Sequence, residues 1–191
     1  MLFYPREAVP RMNIVFLFSD EHTSTAMGNS GHPIVRTPHL DRLASQSYTF
    51  DNAYCNSPLC TPSRLSMLTG RYPHQIEAWD LGVIANQHHQ TWGHYLAVAG
   101  YETVLCGRTH FNGHDRLMGF SHRLLDDLPF WYNTSGHPPR RTIDERRGSN
   151  SHVAECGPGE HAHTGYDQRV TELALDFLHQ KATTSDNQPF L

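Results

Sequence analysis

The chain contains no Cys-x-x-Cys pair, no apolar run near the length of a membrane span, no internal repeat and no excess of positive charge. Each absence removes a class. Without Cys-x-x-Cys, the pattern of a zinc ribbon or a thioredoxin-like redox site is missing. Without a long apolar run there is no candidate membrane helix. A formal net charge of −4 argues against a nucleic-acid binder, which carries a basic patch or stripe. One basic cluster does exist: Arg140, Arg141, Arg146 and Arg147. Asp144 and Glu145 interrupt it, so it reads as a solvated loop, with anion binding as the minor alternative. The opening stretch, MLFYPREAVPRMN, has Pro5, Glu7 and Pro10 where a secretory peptide needs an unbroken apolar region. The expectation is a cytoplasmic protein with reduced thiols, and neither a nucleic-acid nor a membrane partner.

What is present suffices for one domain with a core: 191 residues, 38% of them hydrophobic. The 15 histidines are scattered and form no tract, so only those beside other chemistry are candidates for a role. Asn13–Asp20, NIVFLFSD, is a short continuous apolar run that predicts a buried, parallel strand with polar residues at its carboxyl end. In an open α/β sheet ligands bind at that end. TPHLDRLASQS predicts a helix with Thr37 as N-cap, Pro38 at its first position and Leu40, Leu43 and Ala44 on one face. YTFDNAYC alternates as a strand does. Ser63–Leu68 opens another helix that Gly70 stops, and a further helix runs from Thr91 to Ala99 with Gly100 closing it.

YETVLCG is the next buried strand, followed at its carboxyl end by Arg108, Thr109 and His110. Residues 129–165 form a long irregular excursion rich in Gly, Pro, His and Arg. YDQRVTELALDFLHQ then restores a helical period, and Pro189, Phe190 and Leu191 look like the start of one more strand. The alternation predicts an α/β fold with a largely parallel sheet flanked by helices, incomplete at the C-terminus.

Chemistry concentrates in three places. Asp20 and Glu21 pair two hard carboxylates at a strand end, a donor set suited to Ca²⁺, Mg²⁺ or Mn²⁺; a helix N-cap with an acidic first turn would look the same. Cys60 precedes Pro62 and Ser63, so it falls at a helix start, where backbone N–H groups and the helix dipole favour an anion. Arg64 adds positive charge one turn in. A packed cysteine beside a Pro-initiated helix is the alternative, and it is the reading for Cys55. A Cys55–Cys60 disulfide is disfavoured by the compartment. Arg108 and His110 form the third place. Together these describe an anion-handling hydrolytic site with a hard metal, without naming the anion.

At these residues the chain resembles the sulfatase family. CTPSRLSMLTGR, Cys60–Arg71, matches the signature Cys-x-Pro-Ser-Arg followed by an apolar stretch and Thr-Gly-Arg. NIVFLFSDEH resembles the family's first strand with its metal-binding acid, GHPIVRTPHLDRLASQSYTFDNAYCNSPLC the segment leading to the signature, and AGYETVLCGRTHF the Gly-Lys-x-His segment. Residues 13–111 match closely and the rest loosely, so 1–191 would be the N-terminal part of a sulfatase catalytic domain.

The resemblance implies an alkaline-phosphatase-like α/β fold and a reaction. Cys60 would be converted to Cα-formylglycine by a separate formylglycine-generating maturation enzyme, which reads a short element including Pro62 and Arg64; Arg64 also braces the finished residue. The aldehyde hydrates, one hydroxyl attacks the sulfur of a small-molecule sulfate ester, and the other expels sulfate by C–O cleavage. A serine would be left as a stable sulfate ester. Carried over residue by residue, Asp20, Glu21 and modified Cys60 bind one divalent cation, Ca²⁺ first, with Mn²⁺ or Mg²⁺ as alternates. Glu21 stands where many members have a second Asp and some have Gln. His110 contacts the sulfate or the leaving group. Arg108 replaces the usual Lys, keeping the charge but as a fork and not a compact donor.

Members carry further metal ligands and a sulfate-binding Lys or His far downstream, and this chain has no counterpart to them. The expectation is a fragment that is inactive alone and exposes an apolar sheet edge. A phosphonate or phosphate ester hydrolase on the same scaffold, and a non-catalytic remnant, are the rival readings. Substrate selection is expected in 129–165, and Trp79, Trp92 and Trp131 either pack in the core or line a pocket.

Overall fold

The computed structural model describes residues 11–86, 88–128, 159 and 162–191. The basic cluster Arg140–Arg147, Trp131, Cys156 and all of the predicted excursion except residues 159 and 162–165 lie outside them. The described residues fall into two compact units: Phe16–Asn56, and the described parts of Met1–Val15 with Ser57–Leu191.

In the smaller unit α1 spans Pro38–Ala44, with Pro38 opening it as predicted. Thr37 is the N-cap, yet its hydroxyl caps no helix N–H. It donates to Asp41 Oδ1 at 2.8 Å and accepts the Gly28 N–H at 2.8 Å, while Asn29 N–H also reaches Asp41 Oδ1 at 2.9 Å. Polar bonds to the single turn Gly28–Ser30, and not burial, hold this helix. Its predicted apolar face is open: Leu40 is 41% and Leu43 55% exposed. The predicted strand at residues 48–55 does not form. Asp51 and Asn52 make a turn, Tyr48, Phe50 and Tyr54 are exposed, and among the described residues no backbone partner pairs with 48–55. Alternation sets which face each side chain takes, but a strand also needs a neighbour.

The larger unit holds α2 (Cys60–Thr69), α3 (Trp92–Val98), β1 (Val104–Cys106), β2 (His122–Leu125) and α4 (Ala162–Thr183). α2 ends where Gly70 adopts φ 66° and its N–H closes on Ser66 O at 2.9 Å. α3 starts at N-cap Thr91, whose N–H is accepted by His94 Nδ1 at 3.1 Å, and ends ahead of Gly100. α4 begins at Ala162, so the four described residues at the end of the expected excursion are helical.

β1 and β2 pair in parallel, Val104 with His122 and Leu105 with Arg123; the register then slips so that Cys106 pairs with Leu125. On the other side of β1, the Glu102 N–H donates to Pro189 O (2.8 Å) and the Val104 N–H to Leu191 O (2.7 Å), making the predicted strand start real. Next to it, Ile14 N–H reaches Phe190 O at 2.9 Å. Four segments thus lie side by side: 13–14, 189–191, β1 and β2. Of the predicted strand Asn13–Asp20, Ile14 makes the one backbone ladder bond found among the described residues. Most of the run is exposed, Leu17 78% so, because a run apolar on both faces needs cover on both, and few described residues supply it.

The core lies between α2 and the loops around β1. Leu65, Leu68, Ile76, Val83, Phe111, Met118 and Phe120 are buried together, with Trp92 edge-on to Phe120 at 5.0 Å. Each such side chain contributes about 1.5–3 kcal/mol relative to exposure. Trp92 therefore packs, while Trp79 is 63% exposed. α4 closes against the sheet through buried Tyr166, Phe177 edge-on to Phe190 at 5.4 Å, and the ion pair of Lys181 with Glu102.

Candidate active site

The signature cysteine is the first residue of α2. Leu59, the N-cap, is extended (φ −99°, ψ 138°) and its side chain offers no acceptor to the helix start. Cys60 is half-buried, and Cys55, Cys60 and Cys106 form no disulfide. Thr61 is 1% exposed and its hydroxyl donates to Leu81 O at 3.1 Å, fixing the helix start to the following loop. Asn112 Nδ2 holds the same loop through Leu81 O at 2.7 Å and Val83 O at 2.9 Å.

The two predicted arginines converge on this start. Arg64, 5% exposed, sits one turn into α2 and donates from Nη1 to the Arg108 carbonyl at 2.9 Å. Arg108 in turn brings Nη2 to 3.8 Å from Cys60 Sγ. A helix start, a buried guanidinium and a second guanidinium make a positive pocket around one sulfur. His110 lies two residues on in the same loop, with φ 55°. A non-glycine residue in that region carries about 1–2 kcal/mol of strain unless something fixes it.

What fixes it is Asp127, which sequence reasoning missed. The Asp127 side chain has 0% exposure. Its Oδ1 accepts the Thr109 N–H at 2.7 Å and its Oδ2 the His110 N–H at 2.9 Å. The Thr109 hydroxyl (3.3 Å) and Arg116 Nη2 (2.9 Å) complete the set. Parallel pairing explains the meeting: β1 and β2 end side by side, so the loop after one touches the loop after the other. The signal available in the sequence was the Asp126-Asp127 doublet just past an apolar run.

Around it the charges alternate. Asp126 bonds Arg116 at 2.8 Å and pairs with Arg123. Partial burial pushes the Asp126 carboxyl up, but the Arg116 hydrogen bond, the Asp127 N–H and the Arg123 charge together hold it below the usual carboxylate range. Burial first, then Asp127, raise the Tyr166 phenol well above its ordinary value, so its hydroxyl stays a donor, to Asp126 O at 2.9 Å.

Asp20 and Glu21 belong to the smaller unit. They sit in a turn, not at a helix start, which removes the N-cap reading of the pair. Asp20 is half-buried and Glu21 exposed at φ 54°. Behind them His22 Nδ1 lies 3.2 Å from Ser19 Oγ and Nε2 3.2 Å from Ala26 O. No described helix is long and apolar enough to cross a membrane.

A family model described as Sulfatase matches residues 12–191. The N-acetylglucosamine-6-O-sulfatase of Bacteroides thetaiotaomicron is 36% identical over 187 residues, 97% of this chain and 30% of its own. The choline-sulfatase of Rhizobium meliloti is 31% identical over 180 residues, 92% of this chain and 35% of its own. Among solved structures, BT4656 in complex with its substrate D-glucosamine-2-N,6-O-disulfate superposes with a TM-score of 0.55 at 36% identity, over 59% of this chain and 22% of that one. The chain thus spans about a third of the length of these curated relatives.

Proposed function

Because the chain belongs to the sulfatase family of hydrolases and has its alkaline-phosphatase-like α/β fold, we propose that the protein carrying it cleaves small-molecule sulfate esters with a formylglycine made from Cys60. The observation that carries this reading is the Arg108 guanidinium 3.8 Å from Cys60 Sγ at the start of α2. The thiol there stands in for the hydroxyl of the hydrated aldehyde. A cysteine meant only for packing would not draw a guanidinium and an uncapped helix start around it; an anion-transferring group would.

The roles follow from the residues. Arg108, with the positive end of the α2 dipole, holds the sulfate oxygens and stabilises charge as it develops. Arg64 bridges α2 to the loop of Arg108, keeping the fork aimed at residue 60. His110 serves the sulfate or the leaving oxygen. By the family resemblance, Asp20, Glu21 and the oxygen at position 60 would hold a divalent cation, and carboxylates with a hard oxygen are the donor types that Ca²⁺, Mn²⁺ or Mg²⁺ takes. When bound, such a cation polarises the attacking hydroxyl. Three donors fall short of the six to eight that Ca²⁺ takes, so we expect these 191 residues by themselves to be inactive.

The test is expression of the full-length protein with the formylglycine-generating enzyme, then mass spectrometry of the Cys60 peptide and assays on aryl sulfate and aryl phosphonate esters. Thiol-to-aldehyde conversion with faster sulfate turnover is expected. An unconverted, accessible Cys60 points to a non-catalytic remnant. Faster phosphonate turnover moves the protein to the phosphonate and phosphate ester hydrolases.

A further inference from the structure

We propose that Asp127 is the positioning residue of this site, fixing the loop that carries Arg108 and His110; the role rests on the sulfatase reading above. Asp127 acts through the backbone of that loop. Its carboxylate takes two successive amide protons, Thr109 N–H on Oδ1 at 2.7 Å and His110 N–H on Oδ2 at 2.9 Å. Successive N–H groups converge on one anion only when the backbone curls into a nest, and the left-handed turn at His110, φ 55°, is part of that curl. Here the anion is supplied by the chain itself.

The clamp has consequences at both ends of the loop. On one side it holds the backbone just after Arg108, whose carbonyl is tied to Arg64 Nη1 at 2.9 Å and whose Nη2 lies 3.8 Å from Cys60 Sγ. On the other it fixes the direction in which His110 leaves the backbone. The carboxylate is itself immobilised: Arg116 Nη2 binds its Oδ2 at 2.9 Å and Asp126 Oδ1 at 2.8 Å, and Asp127 has 0% side-chain exposure. A carboxylate this buried needs its full set of donors. The geometry of the loop and the charge of Asp127 therefore stand or fall together. Without the carboxylate, the left-handed turn at His110 loses the two amide bonds described above, and the Arg108 fork is less firmly aimed at residue 60.

The experiment uses the matured, full-length protein and its Asp127→Asn variant. Asparagine keeps the shape, but its amide group offers one acceptor where two amides converge and turns a donor toward the other. We expect kcat on aryl sulfate to fall roughly 100-fold, as for a misplacement of about 1 Å, with KM little changed. We also expect the peptide covering Gly107–Phe111 to exchange its amide hydrogens faster in the variant, with the unfolding midpoint measured alongside. A folded Asp127→Asn protein with wild-type kcat overturns the proposal. So does rapid exchange of Thr109 and His110 amides in the wild type, which decides the matter even where the variant fails to fold. A wild type that hydrolyses no sulfate ester refutes the sulfatase reading separately; the clamp is then judged on exchange alone, upheld by protected amides and overturned by unprotected ones.

Discussion

Replacing Gly119 with alanine should be far more damaging than replacing Gly70, although both glycines have positive φ, 87° and 66°. At Gly70 an added Cβ meets nothing within 4 Å. The cost there is conformational alone, about 1–2 kcal/mol for a left-handed residue, less about 0.4–1 kcal/mol for the stiffer unfolded chain. At Gly119 the same Cβ would collide with the His94 imidazole at Nδ1. The imidazole must leave, and with it go the bond from Thr91 N–H (3.1 Å) and the contact with the Thr91 hydroxyl (2.9 Å) at the start of α3. At about 0.5–1.5 kcal/mol each, these raise the expected loss to about 1–5 kcal/mol. Urea unfolding midpoints of the full-length protein measure both. His94→Ala supplies the control: in that background Gly119→Ala should cost no more than Gly70→Ala, a coupling that a double-mutant cycle isolates. Equal effects of the two glycine variants, or no coupling to His94, would refute the packing argument.

Three further outcomes are expected. Asp126 has a folded pKa below its unfolded value, so its contribution is present above about pH 4 and lost as pH falls through the folded value; Asp126→Asn should lower stability at pH 6 and flatten the acid limb of the unfolding titration. Tyr166→Phe removes the donor to Asp126 O (2.9 Å) and should cost about 0.5–1.5 kcal/mol, read as faster amide exchange in the first turns of α4. Chelation should abolish sulfate-ester turnover by the matured full-length protein without changing the formylglycine content of residue 60, and Ca²⁺ should restore it.

Local signals in the sequence were enough where the cause is local. Pro62, Ser63 and Gly70 bracket α2 because a fixed φ starts a helix and a left-handed residue ends one, and the structure adds only that Cys60 is already inside it. Cys60, Arg64 and Arg108 lie together at the start of α2. The misses share a non-local cause. Strand β2 reads HRLL, with no alternation to announce it, and exists because Thr103–Cys106 lies alongside. Asp127 serves amides 17 and 18 positions away, which no motif window spans. Residues 48–55 alternate as a strand should, yet pattern alone cannot supply the partner that pairing requires.

The position of residues 189–191, between 13–14 and β1, also sets a timetable. Asn13 and Phe190 bond each other across 177 positions of chain. At ribosomal rates of about 5–20 residues per second, the first segment emerges on the order of 10–35 s before its neighbour in the sheet is made. Pairing of Ile14 thus waits for Phe190, however early the elements made between them take their shape.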